Sequence, residues 1–152
     1  MIKWDELEGQ ELDKAAKRNP VGALRHVPGR LSPETLDWCA EQEIGAALRF
    51  AAKRLTPSRL DGCAEGLPWA ALECAAELLT PERLDWCASE APWSALAYAA
   101  ELLTPERLDK CAKADSRYAL RYVVERLTPE RLRVCAFKVL TDNRTRGSNE
   151  VG

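Results

Sequence analysis

The sequence predicts an all-α fold: an α-solenoid of about six 24-residue helix-turn-helix repeats with degenerate terminal caps. Three observations carry that expectation. Leucine returns every 24 residues, at Leu7, Leu31, Leu55, Leu79, Leu103 and Leu127. A second leucine (Leu12, Leu36, Leu60, Leu84, Leu108, Leu132) and an alanine (Ala16, Ala40, Ala64, Ala88, Ala112, Ala136) keep the same period without insertion. An Ala-Leu pair completes the frame at Ala23-Leu24, Ala47-Leu48, Ala71-Leu72, Ala95-Leu96 and Ala119-Leu120. One short helix pair cannot bury its apolar face alone. Stacked neighbours cover it for each other and build an elongated core.

Each unit encodes two short helices. The first opens at Thr80-Pro81-Glu82 in the clearest unit, and at Ser32-Pro33-Glu34, Thr104-Pro105-Glu106 and Thr128-Pro129-Glu130 in others; Thr56-Pro57-Ser58 is a weaker copy. A hydroxyl caps the helix, proline suits its first position, and glutamate favours the positive end of its dipole. Leu84, Cys87 and Ala88 then follow at i, i+3 and i+4, one helical face. The second helix opens at Pro20, Pro68 or Pro92 in several units, and Asn19 and Asp115 are caps in theirs. Its inward set is expected to be Ala95, Leu96, Ala99 and Leu102, the alanines permitting close helix approach.

The terminal units depart from the frame. Glu8-Gly9 replaces Thr-Pro in the first, and Pro28-Gly29 is expected to interrupt its second helix. The last unit is expected to lose its second helix after about Leu140. One repeat domain is thus expected over residues 1–140, with units starting at 7, 31, 55, 79, 103 and 127, and a flexible tail over 141–152.

Bulk properties exclude several classes. The net charge is −2, with no global basic field. No apolar run approaches the ~18 residues of a membrane span. Met1 to Glu6 lacks the apolar stretch of a signal peptide, so a cytoplasmic location is expected. Cys39, Cys63, Cys87, Cys111 and Cys135 share one repeat position, where the first unit has Ala15. Such a position behaves as a small buried hydrophobe. Equivalent residues of stacked helices lie roughly 8–10 Å apart, beyond the ~7 Å between Cα atoms that a disulfide spans. Cys74 lies off this ladder, on a second helix. With no Cys-x-x-Cys anywhere, reduced packing thiols are expected, and neither a metal nor a cofactor.

No constellation points to catalysis. His26 is the only histidine and falls at an aromatic position of its unit, read as core; no glycine-rich phosphate loop occurs. The acids Asp37, Asp61, Asp85 and Asp109 and the arginines Arg59, Arg83, Arg107 and Arg131 form columns, which favours ion pairs within or between units over acid–base chemistry. The tryptophans are more informative. Trp38 and Trp86 share a position expected to face solvent, where other units have Lys14, Gly62, Lys110 and Val134. Trp69 and Trp93 share the first turn of the second helix, where others have Val21, Gly45 and Arg117. Variable positions on a constant frame are where a repeat protein carries specificity, and tryptophan is enriched at binding hot spots.

Charge is uneven along the array. Residues 55–102 hold eight acids against two arginines, and residues 103–152 eleven Lys/Arg against seven acids. An acidic, tryptophan-bearing middle suits a protein partner with a basic surface. The expected site is Trp38, Trp69, Trp86 and Trp93 with Glu65, Glu73, Glu90 and Arg117.

The arrangement resembles short-period bacterial helical solenoids such as the leucine-rich repeat variant family. It is also similar to bacterial repeat proteins carrying an Ala-Leu-x-Tyr-Ala string, here Ala95 to Ala99 and, more loosely, Ala119 to Val123. The likeness spans residues 7 to about 140 and implies a fold rather than a function. One leucine-rich-variant type holds an iron–sulfur cluster on N-terminal cysteines; no cysteine precedes Cys39, so that feature does not carry over. The function expected is non-catalytic protein binding, as an adaptor or inhibitor. A special case is a phage- or mobile-element-encoded inhibitor of a nucleic-acid-handling defence complex such as CRISPR. The alternative is nucleic-acid binding through the basic C-terminal third.

Overall fold

In the computed structural model, which describes residues 1–149, the protein is all-helical, with no strand among the described residues. A 3₁₀ turn at Trp4–Glu6 leads into α1 (Gly9–Arg18), α2 (Pro20–His26) and α3 (Pro33–Gln42). Next come α4 (Ile44–Ala46, widening into a π-helical turn at Ala47–Ala51), α5 (Pro57–Gly66), α6 (Pro68–Cys74) and α7 (Pro81–Glu90). The chain continues through α8 (Pro92–Ser94, with a π-helical turn at Ala95–Ala99), α9 (Pro105–Ala114) and α10 (Ser116–Tyr122) to α11 (Pro129–Asn149).

The starts of these helices are set locally. The hydroxyls of Ser32, Thr56, Thr80, Thr104 and Thr128 each accept a bond from the amide three residues on, at 3.2–3.3 Å. Asn19 and Asp115 do the same for Gly22 and Tyr118. Glu8 makes no such cap at α1; Gly9 enters that helix with φ +51°, a left-handed conformation glycine adopts without steric penalty.

The turns are as regular as the helices. One residue joins the first helix of a unit to its second: Asn19, Glu43, Leu67, Ala91 or Asp115, all with φ between −133° and −142° and ψ between 66° and 81°. A second bend falls at Val27, Ala51, Ala75, Ala99 and Val123, each followed by a three-residue 3₁₀ turn. Pro28-Gly29 therefore does not set the first unit's second helix apart: α2 ends at His26 as α6 and α10 end at Cys74 and Tyr122, and a 3₁₀ turn follows each.

Helices of like parity pack side by side. α1 contacts α3, α3 contacts α5, and the series runs through α7 and α9 to α11. In the second layer α2 meets the π turn of α4, that turn meets α6, α6 meets the π turn of α8, and that turn meets α10. The core lies between the layers. Leu24, Leu48, Leu72 and Leu96 come from one side, with Cys39, Cys87, Cys111 and Cys135 from the other, all fully buried. Ala16, Ala40, Ala64, Ala88 and Ala112 are completely inaccessible, as are Ala23, Ala47, Ala71, Ala95 and Ala119. A larger side chain at any of these would push neighbouring helices apart. The ladder thiols do more than fill space. Cys39, Cys111 and Cys135 direct their S–H groups at the carbonyls of Ala16, Ala88 and Ala112 on the neighbouring helix of the same layer, with Sγ···O distances of 3.9, 3.6 and 3.5 Å.

The charged columns link neighbouring units. Arg59 pairs with Glu41 at 2.9 Å, Arg83 with Glu65 at 2.8 Å, and Arg131 makes a two-pronged bond to Asp109 at 2.7 and 2.8 Å. Arg107 grips Asp85 in the same fashion. These bonds hold the Asp85 and Asp109 carboxyls below the ordinary carboxylate range. In every pair the acid belongs to one unit and the arginine to the next.

The two ends are closed differently. At the first, buried Trp4 lies over α2, where a Cβ on Gly22 would come within 2.8 Å of the ring. Arg30 pins that segment by donating to the carbonyls of Trp4 and Leu7 at 3.1 and 2.6 Å. At the other end α11 runs unbroken through both halves of its unit. Residues 141–149 of the expected tail are thus helical, and 150–152 lie outside the described residues. Leu140 stands where Pro20, Pro68 and Pro92 open second helices, and Val139 offers no capping oxygen like Asn19 or Asp115, so nothing local stops the helix.

A candidate interaction surface on the second-helix layer

Two expectations about inward positions are corrected. His26 is exposed, as are Phe50, Tyr98 and Tyr122 at the same repeat position; Cys74, also there, is half-buried. In these short helices the inward set is Ala23, Leu24 and Val27 or their equivalents. The residue just before Val27 falls on the flank of that face. Leu102 is also exposed, at 44%, because it ends a 3₁₀ turn, where Arg30, Arg54 and Arg126 stand in other units. A position that takes arginine in three units is a surface position, and that signal is legible in the sequence.

The second-helix layer consequently displays an aromatic run. The rings of Trp69 and Trp93 stack with centroids 6.5 Å apart, Trp93 meets Tyr118 at 5.8 Å, and Tyr118 stacks on Tyr122 at 5.7 Å. Trp69 and Trp93 remain 43% and 36% exposed. The run crosses three units, each ring supporting the next, which reduces the freedom lost when a partner covers it. Behind Trp93, the Ser94 hydroxyl donates to the Trp69 carbonyl at 2.9 Å and fixes the spacing of the two helices.

Two grooves border the run. The larger, about 480 Å³, has Cys74, Ala75, Ala97 and Ala99 among its small lining residues, with Leu78, Leu102, Tyr98 and Tyr122 beside them. Glu73, Glu77 and Glu101 supply its carboxylates, and Lys53 and Arg126 come from the flanking units. The smaller, about 300 Å³, lies between Phe50 and Trp69 and shares Glu73 and Cys74 with the first. Arginines already cover several surface rings: Arg25 over Phe50 at 5.8 Å and Arg121 over Tyr122 at 5.2 Å. Beside Tyr98 the residue is Ala97, where Tyr122 has Arg121.

No protein-family model matches this chain, nor does any curated protein or solved structure.

The structure divides the residues expected to form the site. Trp69, Trp93, Glu73 and Arg117 lie on the second-helix layer; Glu73 is 3.7 Å from Arg49, and Arg117 donates to Asn143 of α11 at 3.1 Å. Trp38, Trp86 and Glu65 lie on the first-helix layer. Trp38 is half-buried against the core rather than turned to solvent. Trp86 is exposed beneath the Arg83 guanidinium at 5.3 Å, and Glu65 accepts from that same arginine. Glu90 is exposed at the end of α7. Sequence reasoning missed Phe50, Tyr98, Tyr118 and Tyr122.

The thiols differ in chemistry. Burial pushes Cys39 and Cys63 above the ordinary thiol value and Cys87 and Cys111 up to about 11. A buried, protonated thiol is a poor nucleophile. Half-buried Cys74, in the groove, is the accessible one. In a native titration with a thiol-reactive disulfide at pH 8, one equivalent is expected to react rapidly and five only on unfolding. Cys74→Ala is expected to abolish the rapid phase; its persistence in that variant would place the reactive thiol elsewhere.

Proposed function

We propose that this protein is a non-catalytic binding module: an α-solenoid of about six 24-residue repeats that offers an acidic, aromatic surface to a protein partner with a basic surface. The observation that carries this reading is the run from Trp69 through Trp93 and Tyr118 to Tyr122, exposed across three units and bordered by a groove holding Glu73, Glu77 and Glu101. Large, half-covered aromatic rings on a rigid support are the usual anchors of protein interfaces, and surrounding carboxylates steer a cationic partner to them. Tyr98 has a ring face without the arginine that covers Tyr122, and a lysine or arginine of the partner fits there. An inhibitor that occupies the basic nucleic-acid channel of a defence complex is a special case of this reading.

The test is a nuclease-treated pull-down from host lysate with wild type and a Trp69→Ala/Trp93→Ala/Tyr98→Ala variant of unchanged helical circular dichroism. Capture by wild type is expected to fall roughly 100-fold or more in the variant, from two or more hot-spot losses of about 2 kcal/mol each. It is also expected to weaken with salt. Equal capture by both proteins would refute the aromatic surface. The second reading is nucleic-acid binding, favoured by the basic residues Arg133, Lys138, Arg144 and Arg146 on α11; it predicts binding to nucleic acid with a steep salt slope.

A further inference from the structure

Phe137 is the most exposed large apolar residue of the helices, at 70%, with Leu140 at 62% and Val134 at 53% on the same helix. Its repeat position is polar in every other unit: Lys17, Glu41, Glu65, Ser89 and Lys113. Glu41 and Glu65 use that position to reach forward to an arginine of the following unit. Asp37, Asp61, Asp85 and Asp109 do the same one turn earlier, where α11 has Arg133. Where four other units have a coupling aspartate, and two of them a coupling glutamate as well, the forward face of α11 has an arginine and a phenylalanine. Folding of this unit does not require the change, since these side chains face away from the core.

We infer that this face is the interface of a twofold dimer, in which α11 packs antiparallel on α11 of a second copy of the chain. At 100° per residue, Glu130, Arg133, Val134, Phe137, Leu140 and Arg144 share one side of the helix. An antiparallel pair centred on Phe137 sets that ring against its own copy, Val134 against Leu140, and Glu130 against Arg144, each contact occurring twice, as an isologous interface demands. Arginine carries five donors, so a bond to Glu130 of the second copy adds to the contacts Arg144 makes within its own chain. Head-to-tail stacking lacks this complementarity. The opposite end of the molecule presents Glu11, Lys14, Lys17 and Arg18 on α1, all exposed, and Trp4 folded over Gly22. Burying Phe137 and Leu140 there would desolvate charges with no apolar partner. The dimer goes beyond the proposed binding function; it would carry two copies of the aromatic surface and make attachment to a multivalent partner stronger than either copy alone.

The experiment is light scattering and sedimentation equilibrium on the full chain across a wide concentration range. Wild type is expected to approach twice the chain mass of 16.9 kDa and to stop there. Phe137→Glu is expected to remain at the single-chain mass with unchanged circular dichroism, because the residue is exposed. Glu130→Arg or Arg144→Glu alone is expected to weaken dimerisation about tenfold, and the Glu130→Arg/Arg144→Glu double variant to recover most of it. A wild type that is monomeric at all concentrations overturns the inference. So does a mass that climbs past the dimer, or a double variant no better than the single ones.

Discussion

Leu72→Ala is expected to lower the unfolding free energy by about 2–5 kcal/mol, with a fall in Tm of roughly 5–15 °C by thermal or urea unfolding. Leu72 is 1% exposed in α6, which touches both the π turn of α4 and the π turn of α8. Removing three carbons there leaves a cavity into which the surrounding core relaxes only partially. Because α6 packs on elements to both sides, the lesion weakens two contacts at once. Typical domains hold only about 5–15 kcal/mol in total, so this single change takes a large share. Leu120→Ala is the comparison: the same chemical change at the same repeat position, but half-buried in α10. It is expected to cost less than half as much. Equal losses at the two sites would show that stability is not distributed unit by unit.

The second large effect is alkaline. Cys87 and Cys111 hold their protons to about pH 11 in the folded chain, against an ordinary thiol value of 9.0. Between those limits the unfolded chain has released protons that the folded chain retains. The folded state therefore binds more protons, and its stability falls as pH rises from about 9 and levels off near 11. At ~1.36 kcal/mol per tenfold difference in proton binding, each thiol contributes about 2–3 kcal/mol to that loss. Cys39 and Cys63, raised in the same direction, add to it. Urea unfolding at pH 8, 9, 10 and 11 measures the slope. Cys87→Ala/Cys111→Ala is expected to flatten it, since alanine fills the equivalent place at Ala15 and has no proton to lose. An unchanged slope in that variant would show that these two thiols do not cause the alkaline loss.

Much of the local architecture was legible in the residues. The hydroxyl caps from Ser32 to Thr128 and the face made by Leu84, Cys87 and Ala88 follow from short-range rules, and each is in place. The ion-pair columns were legible as columns, but their direction, acid to the arginine of the next unit, belongs to the stacking.

What the sequence by itself determined is the helical frame: where helices start, which small residues line their inner faces, and that a ladder of cysteines is packed in the core. These are properties of a residue and its neighbours within a turn or two of chain. Only the tertiary structure decided which flanks of the short second helices stay outside. Two turns of helix have too few residues for periodicity to separate a flank from a core face, so His26, Phe50, Tyr98 and Tyr122 read as core until the adjoining units were in place. The aromatic run needed the same information, because Tyr118 joins Trp93 from a neighbouring repeat position where the frame alone aligns Arg117. The course of α11 is the converse case: with no proline at Leu140 and no capping oxygen at Val139, the helix continues, and the face it leaves outward is defined by the unit it would otherwise have met.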